Sequence, residues 1–257
     1  MKNIHSKIIG SGTNHILILH GLLGMGDNWK SIANNLSEDS YCVHLIDQRN
    51  HGKSFHSPKM NYDLMVEDVY NYLESHKIKR CVIMGHSMGG KTAIKFSQLH
   101  SKFLSKLIVV DIAPKKYEAK FSYLFEALKS LDLENCKSRK DIQNQLSQSV
   151  QDDSLVFFLL KNIGRNEENN FSFKANVNVL HENLIVLMDK ITINEKILVS
   201  TFFIKGDKSD YINEDDIIFI KNKFPNSEFI EILNSGHWVH AENPNYFYSA
   251  LQEILKN

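Results

Sequence analysis

Short apolar runs bounded by glycine, aspartate or asparagine recur along this chain, with longer mixed segments between them. Residues 15–19, 42–46, 81–84 and 107–110 are near-continuous in apolar character rather than alternating. A strand covered by helices on both faces reads this way, because water reaches neither side. The segments between carry helical spacing. In residues 63–76, Leu64, Val69, Tyr72 and Leu73 fall on one stripe, with acidic side chains early, where a helix dipole favours them. Residues 88–100 read as another helix. This alternation predicts an α/β fold, a mostly parallel central sheet flanked by helices.

After Pro114 the regularity weakens. Residues 115–196 are rich in Lys, Asn, Ser and Phe and look helical only in pieces, such as 121–131 and 155–161. The strand pattern resumes at 200–204 and 228–233, and a last helix runs through 246–255. The expected organisation is a core of residues 1–114 and 197–257, with a helical lid, residues 115–196, inserted after the sixth strand. A length of 257 residues suits one such domain around one sheet.

Composition narrows the partners. Lys plus Arg equals Asp plus Glu at 30 each, so no net field concentrates nucleic acid or an anionic membrane. Cys42, Cys81 and Cys136 are odd in number and widely spaced, which argues against a disulfide framework and a zinc ribbon and points to a reducing compartment. The first ten residues lack a signal-peptide core, and no apolar run could span a bilayer. A cytoplasmic protein is expected, with no cofactor and no metal; oligomeric state is left open.

The strongest chemical signal is Gly85-His86-Ser87-Met88-Gly89, set between an apolar strand and a helix and followed by Gly90. A serine on so sharp a strand-to-helix turn is exposed at a helix N-terminus, where backbone amides can face an oxyanion. Ser87 is the expected nucleophile and the Met88 amide one oxyanion donor. The second donor is expected at the Leu22 amide, in His20-Gly21-Leu22-Leu23-Gly24 after the strand at 15–19. His20, Gly21, Leu23, His86 and Trp238 are expected around the substrate.

Serine needs a neighbouring base, and a carboxylate must fix the imidazole tautomer. Among twelve histidines, His237 alone follows a late apolar strand in a Gly-His-Trp turn, which makes it the expected base. His240 suggests a metal pair only if further ligands accompany it, and none do. The acid is open among Asp111, Asp210 and Asp207, all at strand ends. The usual position, the third residue after the glycine ending the penultimate strand, holds Ser209. Asp111, with its rigid Ile112-Ala113-Pro114 exit, is favoured over Asp210 and then Asp207.

Taken together, these segments resemble the bacterial YbfF-type esterases of the α/β-hydrolase superfamily. The resemblance rests on His20 to Gly24, Asp27-Asn28-Trp29, Asp47-Gln48-Arg49-Asn50-His51-Gly52-Lys53-Ser54, Gly85 to Lys91, Val110-Asp111-Ile112-Ala113-Pro114 and Gly236-His237-Trp238-Val239-His240. It implies hydrolysis of acyl esters, including acyl-CoA-like thioesters, and places the acid on Asp111. Gly206-Asp207-Lys208-Ser209-Asp210 departs from the family's Gly-Gly-Asn-Ser by adding two carboxylates.

The expected reaction is attack by Ser87, proton transfer to His237 and hydrolysis of an acyl-enzyme, on a small-molecule acyl ester or thioester. A carbon-carbon bond hydrolase or lyase could use the same groups, and an inactive binding protein could share the fold. Phe121, Tyr123, Phe125, Phe157, Phe158 and Leu159 are candidates for an acyl pocket, though such stripes also make core. Arg49 and His51 could meet a polar head group or hold a loop.

Overall fold

The structure, a computed structural model, describes residues 3–256. Strand β1 (Ser6–Ile9) turns through Gly10, at a φ of +84°, towards β2 (Asn14–Leu19). A side chain at Gly10 would collide with the Tyr41 carbonyl. Helix α1 (Lys30–Glu38) leads to β3 (Tyr41–Ile46), followed by α2 (Tyr62–Ser75), β4 (Cys81–His86), α3 (Met88–His100) and β5 (Leu104–Val110). The insertion then runs through α4 (Ser122–Lys129), α5 (Arg139–Ser149), α6 (Asp153–Leu160), β6 (Ile163–Arg165), β7 (Phe171–Phe173), α7 (Val177–Glu182) and α8 (Leu184–Met188). Strand β8 (Thr201–Gly206), α9 (Glu214–Lys223), β9 (Ser227–Ile232), α10 (Val239–Glu242) and α11 (Pro244–Lys256) complete the chain.

The main sheet has the order β1-β3-β2-β4-β5-β8-β9, with β1 antiparallel to β3 and every other pair parallel. Alternate residues of β2 serve opposite faces. Leu17 and Leu19 share an apolar cluster with Val69 and Leu73 of α2 and Phe96 of α3, whereas Ile16 and Ile18 join Leu36 of α1 and Leu251 of α11. Both clusters exclude water, which is why the strand shows no polar alternation; each such aliphatic side chain contributes about 1.5–3 kcal/mol of burial. From β2 the chain passes first to β3 on one side, then to β4 on the other. The loops after β2 and β4 therefore flank the point where the strand order reverses, the usual ligand crevice of an open α/β sheet.

Two expectations about the insertion need correction. Five strands precede it among the described residues, so it follows the fifth rather than the sixth, because a single antiparallel edge strand, β1, leads into β2. It is also not wholly helical: β6 and β7 pair antiparallel, Ile163 opposite Phe173. Its buried residues Phe125, Leu128, Leu146 and Leu159 belong to the same apolar cluster as Leu17 and Leu19, so it packs on the core rather than standing apart.

A buried lysine fastens its far end. Lys91, in the first turn of α3, is 1 % exposed and donates from Nζ to the carbonyls of Asp189 at 2.6 Å and Met188 at 3.2 Å. Desolvation dominates the nearby Asp189 charge and lowers the amine to about 7 from its ordinary 10.5. The unfolded chain thus holds a proton that the folded chain has released across that interval, so this group makes stability rise with pH from about 7 to 10.5. Chemical denaturation of Lys91→Met across the interval should show that component of the slope gone; an unchanged slope would refute it.

Candidate active site

Strand β4 ends at His86, and α3 begins at Met88. Ser87 between them takes φ 52° and ψ −116°, left-handed backbone that a residue with a Cβ rarely adopts. The neighbouring glycines make the turn possible: a side chain on Gly85 would strike the Gly89 carbonyl, and one on Gly89 would strike that of Leu19. Met88 opens α3, so its amide has no acceptor within the helix and remains free for an anion.

The loop after β2 comes close to this turn. A Cβ built on Gly21 would lie 3.3 Å from that of Ser87. The next residue, Leu22, donates its amide to no protein group among the described residues. Leu23 is held from both sides in a positive-φ conformation, φ 57°: its amide donates to His51 Nε2 at 3.2 Å, and its carbonyl accepts from Asn162 at 2.7 Å. Two neutral histidines brace the loop. His20 bonds the Gly21 carbonyl through Nδ1 at 2.8 Å and accepts from the Gln48 amide at Nε2, while His51 bonds the Arg49 carbonyl through Nδ1. Each needs one bare nitrogen, and desolvation keeps it so, lowering His20 to about 4 and His51 to about 3.

Asp111 follows β5, fully buried, at a φ of 48°. Its Oδ2 accepts from His237 Nδ1 at 2.7 Å and from the Ser209 hydroxyl, and its Oδ1 from the Gly206 amide at 3.2 Å. These bonds hold the carboxylate in one rotamer and His237 in the tautomer that leaves Nε2 bare. Asp207 and Asp210 are exposed. Backbone amides of Asn234 and Ser235 hold the Asp207 carboxyl below its ordinary value, occupying it as a turn former. The structure therefore brings Asp111 to His237 and places neither alternative there.

Ser87 and His237 line one cavity of about 520 Å³, with His20, Gly21, Leu22, Leu23, His86 and Trp238 on its core side. The candidate aromatic stripe divides: Phe121, Phe157 and Phe158 line the cavity, Phe125 and Leu159 are core, and Tyr123 is half exposed outside it. Arg49 is engaged elsewhere, forked onto Asp68 at 2.6 and 2.8 Å and bonded to the Lys59 and Leu64 carbonyls.

The family model described as the alpha/beta hydrolase fold matches residues 14–244, nearly all of the sheet and the insertion. The chain belongs to the α/β-hydrolase family. A solved structure named a marine microorganism esterase superposes with a TM-score of 0.95 at 42 % identity, over 98 % of this chain and 99 % of that one. Esterase YbfF of Escherichia coli is 32 % identical over 248 residues, covering 94 % of this chain and 93 % of the relative. The sn-1-specific diacylglycerol lipase ABHD11 of Danio rerio is 33 % identical over 250 residues, 94 % and 78 % of the two. This α/β-hydrolase is of the esterase/lipase type.

Several further groups support the α/β-hydrolase site. The Tyr211 ring stacks on His237 with centroids 3.7 Å apart, and its carbonyl accepts from the Tyr117 hydroxyl at 2.7 Å. His240 stacks on Trp29 at 3.8 Å, and desolvation lowers it to about 3, which makes it a packing residue. His86, buried and pushed well below its ordinary value by desolvation and by His237, donates from Nε2 to the His237 carbonyl at 2.9 Å. Ser209 was visible only as a missing acid; its hydroxyl instead grips the carboxylate that sits on another strand. For Tyr211 and Asn162 no local pattern offers a signal, since both matter through contacts far along the chain.

Proposed function

We propose that this protein hydrolyses small-molecule acyl esters through a Ser87-His237-Asp111 triad and a covalent acyl-enzyme. The carrying observation is the 2.7 Å bond from His237 Nδ1 to a fully buried Asp111, with His237 and Ser87 in one cavity. His237 Nε2 takes the Ser87 proton as Oγ attacks the acyl carbon. The Leu22 and Met88 amides receive the developing oxyanion, whose stabilisation is worth about 10²- to 10³-fold in rate per donor. His237 then returns the proton to the leaving group. Water, deprotonated by the same imidazole, releases the acid and restores Ser87.

In this reading residues 115–196 act as the lid, since Phe121, Leu124, Leu155, Phe157 and Phe158 supply the apolar wall opposite the nucleophile. A cavity of about 520 Å³ suits a medium acyl chain. The names of the relatives, two esterases and a diacylglycerol lipase, support an oxygen ester, and acyl-CoA-type thioesters are the second substrate class to assay. The three free cysteines suit a reducing, cytoplasmic setting, and no helix among the described residues is long and apolar enough to cross a membrane.

Covalent labelling of Ser87 by a fluorophosphonate, with a burst of p-nitrophenol at the start of turnover, tests the acyl-enzyme; labelling elsewhere refutes it. A chain-length series of p-nitrophenyl esters and acyl-CoA thioesters locates the acyl preference. Phe158, half-buried on the cavity wall 6.0 Å from the Trp238 ring, is expected to grip the distal part of the chain. Phe158→Ala should raise KM for the preferred chain by about tenfold and leave acetate esters within about twofold, since lost apolar contact is worth about 1–3 kcal/mol. Equal losses for short and long chains would contradict that role.

A further inference from the structure

At the other end of the sheet, β2 and β3 begin with three metal-ligand side chains on one face. His15 opens onto Cys42 in the strand register, and His44, two residues on, projects to the same side. His15 Nδ1 lies 2.9 Å from His44 Nε2, Cys42 Sγ lies 3.5 Å from that nitrogen, and all three atoms fall within 4.8 Å of one another.

We propose that His15, Cys42 and His44 form a binding site for a zinc-class divalent cation, separate from the hydrolytic centre. A tetrahedral zinc with bonds of about 2.0–2.1 Å to nitrogen and about 2.3 Å to sulfur sets its ligand atoms about 3.3–3.6 Å apart. The spacings of 2.9 and 3.5 Å around His44 need only a few tenths of an ångström of adjustment, and the His15–Cys42 pair, within 4.8 Å, closes by up to about 1.2 Å through rotation of the half-buried His15 side chain.

The surroundings are already arranged for ligation. The Tyr72 hydroxyl donates to Ser6 Oγ at 2.7 Å, so its lone pair accepts from His44 Nδ1, also at 2.7 Å. That bond puts the His44 proton on Nδ1 and leaves Nε2 bare towards His15 and Cys42. A hydrogen-bonded partner fixing the tautomer of a ligand imidazole is the usual support of a protein metal site. Cys42 and His44 are buried at 8 % and 2 % exposure, while His15 is only half-buried and provides the entry. Two imidazoles and one thiolate match the ligand preference of zinc, and water can complete the fourth position. Binding would release the Cys42 thiol proton to solvent and move the His15 ring proton from Nδ1 to Nε2.

The distance from the reaction argues for a site in its own right. β2 is six residues long, so His15 lies about 16 Å along the strand from the loop that approaches Ser87. No single segment advertised it, because His15 stands 27 and 29 residues before Cys42 and His44, on the neighbouring strand.

Cobalt(II) titration of chelator-treated protein is the test. One equivalent should produce a thiolate-to-cobalt charge-transfer band with tetrahedral visible bands, both displaced by zinc. Cys42→Ser should abolish the charge-transfer band although Cys81 and Cys136 remain. His15→Gln, a change at a half-exposed position, should weaken binding at least tenfold with circular dichroism unchanged, and Tyr72→Phe should weaken it about 10- to 100-fold. Absence of the band in the parent protein, or its persistence in Cys42→Ser, would overturn the proposal.

Discussion

Ser87→Ala should lower ester turnover by about 10⁴-fold or more, with circular dichroism and melting temperature near those of the parent protein. The size of the loss follows from what is removed. Without Oγ no acyl-enzyme forms, and only the oxyanion donors and binding remain to assist direct attack by water. Folding should be spared because alanine keeps the Cβ that already tolerates this backbone, and Ser87 Oγ caps no amide of α3. Steady-state turnover of a p-nitrophenyl ester decides the matter. Activity within about tenfold of the parent, in protein free of other esterases, would remove Ser87 from the reaction and the triad mechanism with it.

The second large effect separates three carboxylates. Asp111→Asn should reduce kcat by about 10³- to 10⁴-fold, because an amide in place of Oδ2 can present its NH₂ to His237 and favour the wrong tautomer. Asparagine suits the site sterically and is among the few side chains that accept a left-handed φ such as the 48° found here. A loss of activity would therefore report tautomer control rather than misfolding. Asp210→Asn and Asp207→Asn, both at exposed positions, should stay within about threefold of the parent. A large loss in Asp210→Asn together with a small one in Asp111→Asn would reverse the assignment.

The contrast between the proposed nucleophile and its proposed acid explains how much could be read from the chain itself. Ser87 was legible because its requirements are local: an apolar strand, glycines at 85 and 89, and a helix, all within a dozen residues. Continuous apolar runs likewise marked the parallel strands, since burial on both faces leaves a mark in each strand alone. The acid was harder. Asp111, Asp207 and Asp210 each follow an apolar strand, and what separates them is tertiary: one carboxylate turned inward onto His237, one used by the turn at Asn234 and Ser235, one left in water. Strand β1 escaped notice because it is a short antiparallel edge whose residues are all partly exposed, with no buried face to imprint a period. In the insertion, short helices bury their apolar residues in the same cluster as those of α2 and α3, so apolar spacing did not distinguish an acyl wall from core.

Ser87 also bears on durability. Its φ of 52° is a conformation estimated at about 1–3 kcal/mol for any residue that carries a Cβ. Glycine at 87 would escape most of that penalty, so an inert Ser87→Gly molecule should resist heat better than the working one. Ranking variants of this chain by thermal endurance alone would therefore favour discarding the group proposed to perform the chemistry.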